Sequence, residues 1–364
     1  MKSIDTSYQV LYSELAQRSL DAAFSTDFSI EGRFIRQEAS GRFYWYFDTA
    51  EEGGKKKRRY VGPVDDEAIT RRVEQFKDLK SDYRARRKLV STLIREAYLP
   101  APPQKVGDVV EALANAGFFR LRGVLVGTVA FQCYSASLGI RLPNTALQTG
   151  DADFAQFHSI SMTVGDTTPD MLQVLQSIDA TFRPLPHLSS PIATKFVARD
   201  GYKVEFLTPN TGSDDHQGKA TTMPALGSAG AEPLRFLDFL IYEPVRAVLL
   251  HNAGVPVLVP APERYAVHKL IVASRREADR DATAKRRKDR QQAQILMEAM
   301  AATNQAVALA DAYIEAWNRG AAWRDALSRS FAAMNPQTVA SIFQALARGV
   351  KTLGQDPAMF DLPG

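Results

Sequence analysis

The spacing of apolar positions changes three times along the chain. Leu11, Leu15, Leu20 and Ala23 fall near one stripe, which predicts a helix over 7–24. The segments "GRFIRQ", "GRFYWYF" and "KKKRRYVG" then alternate with period two and are separated by "ASG" and "AEEGG", so they read as a three-stranded meander. On its middle strand Phe43, Trp45 and Phe47 share one face, and Tyr44 and Tyr46 the other. Ile69, Val73, Phe76, Leu79 and Tyr83 restore the helical period and predict a long helix over 66–98, with Asp65 or Asp66 as its cap. The proline run "PAPPQ" at 100–104 ends it and marks a boundary.

Beyond the prolines, helix and strand alternate. "VGDVVEALANAGFF", "VAFQCYSASLG" and "PDMLQVLQSI" read as helices, and "RGVLVGT" and "ADFAQF" as strands. "ATKFVARDGYKVEFLTP" reads as a hairpin turning at Asp200-Gly201. Residues 209–233, rich in Gly, Ser, Thr and Pro, read as one long loop of the kind that is functional or disordered. "RFLDFLIY" and "VPVLVP" read as strands, and the chain is helical from Glu263 nearly to its end. There is no internal repeat. The pattern gives an α/β (α+β) protein in three parts: residues 1–100, a core over 105–262, and a helical region over 263–364.

Composition adds little to this but excludes several classes. The 364 residues are 45% hydrophobic and 24% charged, ordinary for a globular protein. A single cysteine, Cys133, rules out an intrachain disulfide. The first residues lack a signal-peptide core and no apolar run is long enough to span a membrane, so the expected location is cytoplasmic. The net charge is only +4, but basic residues cluster at 55–59, 84–88 and 285–290, which suits phosphate-bearing partners.

Three features carry candidate chemistry. First, an apolar strand ends at Gly127-Thr128 where a helix begins. A glycine there lets a ligand approach the backbone, and the free N–H groups of the helix start suit phosphate. Second, in "TGDADF" Asp151 and Asp153 lie two apart on a strand and so share a face. Third, Glu205 alternates with Val204 and Phe206, which puts it on the open face of a later strand. Three carboxylates from neighbouring strands would make a hard-oxygen site for Mg²⁺ or Mn²⁺. Lys195 and Lys203, which flank Glu205, read as exposed hairpin charges. The five histidines show no HxxxH or HExxH spacing, so no zinc site is expected from them. Cys133 reads as core.

Gly127-Thr128, then Asp151-x-Asp153, then Glu205 resembles the polymerase-beta-like nucleotidyltransferase superfamily, over roughly residues 105–300. The downstream helices are similar to those of bacterial minimal and abortive-infection-type nucleotidyltransferases. The resemblance implies a metal-dependent transfer of a nucleoside monophosphate from ATP or another NTP to a hydroxyl, with two metals held by Asp151, Asp153 and Glu205. It implies that Gly127, Thr128, Lys269 and Lys288 contact the nucleotide, with Asp289 beside them. The acceptor would be RNA (tRNA-like), protein or a small molecule. The basic meander leans toward RNA. The chain departs from the pattern in having Thr128 after the glycine, Ala152 between the acids, Glu205 as third acid, and an extended "RLPNTALQTG" before the acid pair. A catalytically silent module on the same fold, binding nucleic acid or a partner protein, is the alternative.

Overall fold

The computed structural model describes residues 2–22, 32–39, 42–50, 56–143, 150–163, 167–186, 190–210, 219–227, 229–276 and 280–364. Lys55, most of "RLPNTALQTG" and all but the first residue of each predicted meander turn lie outside them.

The chain opens with helix α1 (Thr6–Ala22), the antiparallel meander β1 (Arg33–Ala39), β2 (Arg42–Ala50) and β3 (Lys56–Pro63), and the long helix α2 (Glu67–Arg95). Asp66 Oδ1 accepts from the Ile69 amide at the start of α2, as expected of its cap. The aromatic middle strand is packing more than platform. Phe47 is buried between Phe34 and Phe76, at ring separations of 4.8 and 5.7 Å, while Trp45 donates to Thr70 Oγ1 at 2.9 Å. Phe43, predicted on the same face, is exposed beneath the Arg36 guanidinium, and opposite Trp45 and Tyr46 the register shifts by one residue on β3, at Val61.

Next come α3 (Gln104–Asn115), β4 (Val124–Val126), α4 (Gly127–Ser137) and β5 (Asp151–Ala155). They are followed by α5 (His158–Thr163), α6 (Met171–Gln176), β6 (Arg183–Pro184), β7 (Lys195–Val197) and β8 (Lys203–Pro209). The sheet is mixed: β4 runs antiparallel to β5, β5 parallel to β8, and β7 antiparallel to β8.

Residues 209–233 are not one loop. Residues 211–218 lie outside the described residues, but β9 (Thr221–Thr222) and β10 (Gly230–Leu234) extend the sheet, with β10 parallel to β8. The sequence "GAEPL" has too few bulky residues to announce a strand. "RFLDFLIY" is likewise not a strand. Phe236 has a φ of +68°, which ends the extended backbone, and Leu237–Leu240 forms a short helix α7. The adjacent apolar residues Phe239, Leu240 and Ile241 are all buried, which an alternating half-exposed strand would not allow. The hairpin of β11 (Val245–Leu249) and β12 (Val255–Val259) follows, then α8 (Pro262–Arg275), α9 (Arg280–Ala302), α10 (Ala306–Asn318), α11 (Ala321–Ala332) and α12 (Pro336–Thr352).

Two apolar cores result. The larger joins β4, β5, β8 and β12 to the helices from α8 onward. The smaller joins Tyr12, Leu15, Val90, Leu93 and Leu99 to Val248 and Leu250 of the β11 hairpin. Arg86, from the basic run at 84–88, serves this smaller core. It is buried, donates to Asp82 at 2.7 Å and to the Ala253 carbonyl at 2.9 Å, and is not open to phosphate. No described helix is long and apolar enough to cross a membrane.

Candidate active site

The sheet's underside fixes which way the acids point. Phe154 and Phe206 are register partners on parallel strands, 5.9 Å apart, and both rings meet Phe118 below. With Ala152 and Val204 also buried, alternation sends Asp151, Asp153 and Glu205 to the opposite face. Asp153 and Glu205 are themselves register partners.

Gly127 meets Asp153 directly. Its φ is +68°, and a Cβ there would lie 2.6 Å from Asp153 Oδ2. The turn therefore needs glycine twice over, for the backbone angle and for the space. We expect Gly127→Ala to lower stability by roughly 1–3 kcal/mol and to displace Asp153. Thermal unfolding checks the first, and Mg²⁺-dependent NTP binding the second. A variant matching the parent in both would remove Gly127 from the site.

Burial, then the charges of Asp151 and Glu205, push the Asp153 carboxyl up to about 7; Lys269 and Lys195 oppose that rise. Both of these lysines are engaged. Lys195 Nζ sits 2.8 Å from Glu205 Oε1. Burial works against the Lys195 charge, but Glu205, Glu232 and Asp153 together hold its pKa above the usual lysine value. Lys269 Nζ donates to Asp289 Oδ1 at 2.7 Å, and Arg276 Nε to Asp289 Oδ2 at 2.8 Å. Burial would discourage charge on Asp289, yet these two cations hold its carboxyl below the ordinary range. Lys288 is partly buried near the same carboxylates. Burial and the Lys269 charge lower its pKa, while Asp151, Asp289 and Asp153 resist.

Helix α8 also braces the glycine turn. Tyr265, fully buried, has its hydroxyl 2.9 Å from the Gly127 carbonyl and 2.9 Å from Gln292 Oε1, and the Gln292 amide reaches toward Thr128 Oγ1 at 3.5 Å. Motif spacing does not reveal Tyr265 or Gln292, because each acts from an element far away in sequence. The i, i+4 pair Tyr265 and Lys269 on one helix face was the available sign. Lys195 is more than an exposed hairpin charge, since it closes on the third acid.

The structure thus brings Gly127, Thr128, Asp153 and Glu205 together, with Asp151, Lys269 and Lys288 coupled to them electrostatically. Among the described residues, the three potential ligand groups whose atoms all lie within 4.8 Å of one another are elsewhere: Asp108, Glu111 and His251. Cys133 is buried and its thiol is pushed up to about 12 by burial, so it is core and not a nucleophile.

An antiparallel strand pair, a glycine turn into a helix, and acids on adjacent parallel strands lie within the stretch that identifies the class of the protein. A nucleotidyltransferase family model matches residues 104–318, more than half of the chain, and the protein belongs to that family. No curated protein and no solved structure matches it. Family membership makes this a transferase that moves nucleotidyl groups, with an NTP as its substrate.

Proposed function

We propose that the protein transfers a nucleoside monophosphate from an NTP to a hydroxyl at the face carrying Asp151, Asp153 and Glu205. One observation carries this reading. Three acids share a sheet face in front of a glycine turn that opens a helix, and burial together with their mutual repulsion raises the Asp153 carboxyl to about 7. Such crowded negative charge fits a divalent cation. Asp151 and Asp153 would hold Mg²⁺ or Mn²⁺, with Glu205 completing the set. The ion would supply charge neutralisation at the triphosphate.

The chain's own groups do the remaining work. The amides at the start of α4 and the Thr128 hydroxyl receive the phosphate tail. The acceptor oxygen attacks the α-phosphorus, the bond to the β-phosphate oxygen breaks, and pyrophosphate departs. Lys269 and Lys288 offset the charge on the departing group. Glu205 takes the acceptor's proton once Lys195 releases it. That ion pair is also what favours the second reading, a silent module, since a lysine already satisfies the third acid. Incubation with each α-labelled NTP, Mg²⁺ and cell extract decides between them. Metal-dependent label in RNA, protein or a small molecule supports the enzyme. No transfer from any NTP leaves the silent module.

We propose RNA as the acceptor, on the strength of the basic third strand. Arg58 cannot be counted toward it. Its guanidinium holds the buried Asp48 at 2.7 and 3.0 Å and also donates to Gln37 at 2.8 Å. A variant with serine at Lys55, Lys56, Lys57 and Arg59, sparing Arg58, is therefore the fair test. Filter binding across a salt series is expected to show the RNA slope flattening by roughly 0.7 for each phosphate no longer neutralised, whatever the RNA sequence. An unchanged slope would move a protein or small-molecule acceptor into first place.

A further inference from the structure

We propose that Asp108, Glu111 and His251 bind a divalent transition-metal ion, with zinc the best match, at a second site apart from the nucleotide face. Asp108 and Glu111 lie three residues apart on α3 and so project from one side of it. His251 comes from the turn between β11 and β12, 143 residues from Asp108 in the chain. Its Nε2 is 2.8 Å from Asp108 Oδ1 and 3.8 Å from Glu111 Oε2. Ligand atoms each about 2.0–2.1 Å from a tetrahedral zinc are about 3.3 Å apart. The two separations from His251 bracket that value, and the ligand atoms of all three residues lie within 4.8 Å of one another.

Three further features prepare the group. His251 is buried, and its ring lies against the α3 backbone, where a Cβ on Gly107 would come 2.2 Å from Nδ1. That packing fixes the ring and leaves Nε2 as the edge aimed at both acids. Asn252 Nδ2 donates to Glu111 Oε2 at 2.6 Å, which orients the second carboxylate as outer partners of metal ligands do. Asp108 and Glu111 also line a cleft of about 530 Å³ with Asn115, Gln173 and Ser177, a route in for the ion and for the water that completes its shell. The cleft lining includes neither Asp153, Glu205 nor Lys269. Chemistry selects the ion: an imidazole nitrogen with two carboxylates suits zinc and its neighbours, whereas magnesium and calcium take oxygen donors. A histidine–aspartate hydrogen bond alone would need one acid; the second adds negative charge that a dication offsets.

The test uses the full chain carrying Asp151→Asn and Asp153→Asn, so that the nucleotide face does not take up the probe. After chelator treatment, calorimetry with zinc is expected to give one ion per chain, and cobalt in its place an absorption band of low-coordinate geometry. Adding Asp108→Asn and Glu111→Gln should abolish both. Asn252→Gly keeps the turn's positive φ of 49° and removes only the amide, so it should weaken zinc by roughly tenfold. Absence of zinc binding at micromolar concentration in the Asp151→Asn, Asp153→Asn chain would overturn the proposal. So would an ion that persists after both acids are replaced. Should the doubly replaced α3 variant not fold, undiminished affinity in Asn252→Gly overturns the arrangement. None of these readouts depends on nucleotidyl transfer.

Discussion

Asp153→Asn is expected to abolish nucleotidyl transfer and, without metal, to stabilise the protein. The loss of activity should be about 10³-fold, the equivalent of several kcal/mol of transition-state stabilisation. The gain in stability follows from the raised carboxyl. An Asp153 that titrates at about 7 when folded, against 3.8 for the unfolded chain, prefers to stay protonated in the fold. Its contribution is therefore fully present below about pH 4 and is lost as pH climbs toward 7. Asparagine suffers no such loss. The variant's advantage should grow between pH 4 and pH 7, reach roughly 2–4 kcal/mol, and then level off. Mg²⁺ with NTP should stabilise the parent alone and narrow the gap. Denaturant unfolding across that pH range gives the answer, and a variant whose stability runs parallel to the parent's at every pH would remove Asp153 from the centre of the charge cluster.

Asp289→Ala is expected to be the most destabilising single change near the site, at about 3–5 kcal/mol. Asp289 is buried and grips Lys269 and Arg276 through its two oxygens. Without it the largely buried Lys269 loses its counter-charge, while the exposed Arg276 keeps contact with water. Lys269 is then free to swing toward the Asp153 face, so surviving activity should show a raised KM for NTP and a shifted metal requirement. Asp289→Asn keeps the volume and should recover little, because what is removed is charge. A melting temperature equal to the parent's would show that the Asp289 pairs contribute nothing.

The proposed catalytic motif is legible in the sequence because its chemistry is local. A glycine at a strand end, two acids at period two and a third acid on an alternating strand are each visible within a few residues. The role of Lys195 was not, because β7 and β8 bring it beside Glu205 only through an antiparallel register. Asp289 sits within a basic run, yet its partners lie 20 positions away on α8 and 13 positions away just past that helix's end. The mistaken elements have the same origin. "RFLDFLIY" has the composition of a strand, but the positive φ at Phe236 broke it, and no propensity scale records a tertiary demand of that kind. The strand "GAEPL" exists because it pairs with β8 and not because of its own side chains. The Asp108, Glu111 and His251 group was invisible to motif spacing, since its histidine stands alone in the sequence.

The turn at 250–254 is held from two directions. Arg86 of α2 donates to the Ala253 carbonyl on one side, and Asp108 and Glu111 of α3 take His251 and Asn252 on the other. The start of the chain is tied to the core as well: the Ile4 amide donates to the Gly139 carbonyl, and the Arg141 amide to that of Lys2. The proline run at 100–104 looks like a place to cut, but a fragment beginning after it would carry Val248 and Leu250 bare into water. Such a piece would be sticky, and its exposed hairpin would invite self-association. Inheritance is affected in the same way: the first hundred residues cannot be exchanged for an unrelated module unless the newcomer also brings an apolar cover for that hairpin and a donor for its turn.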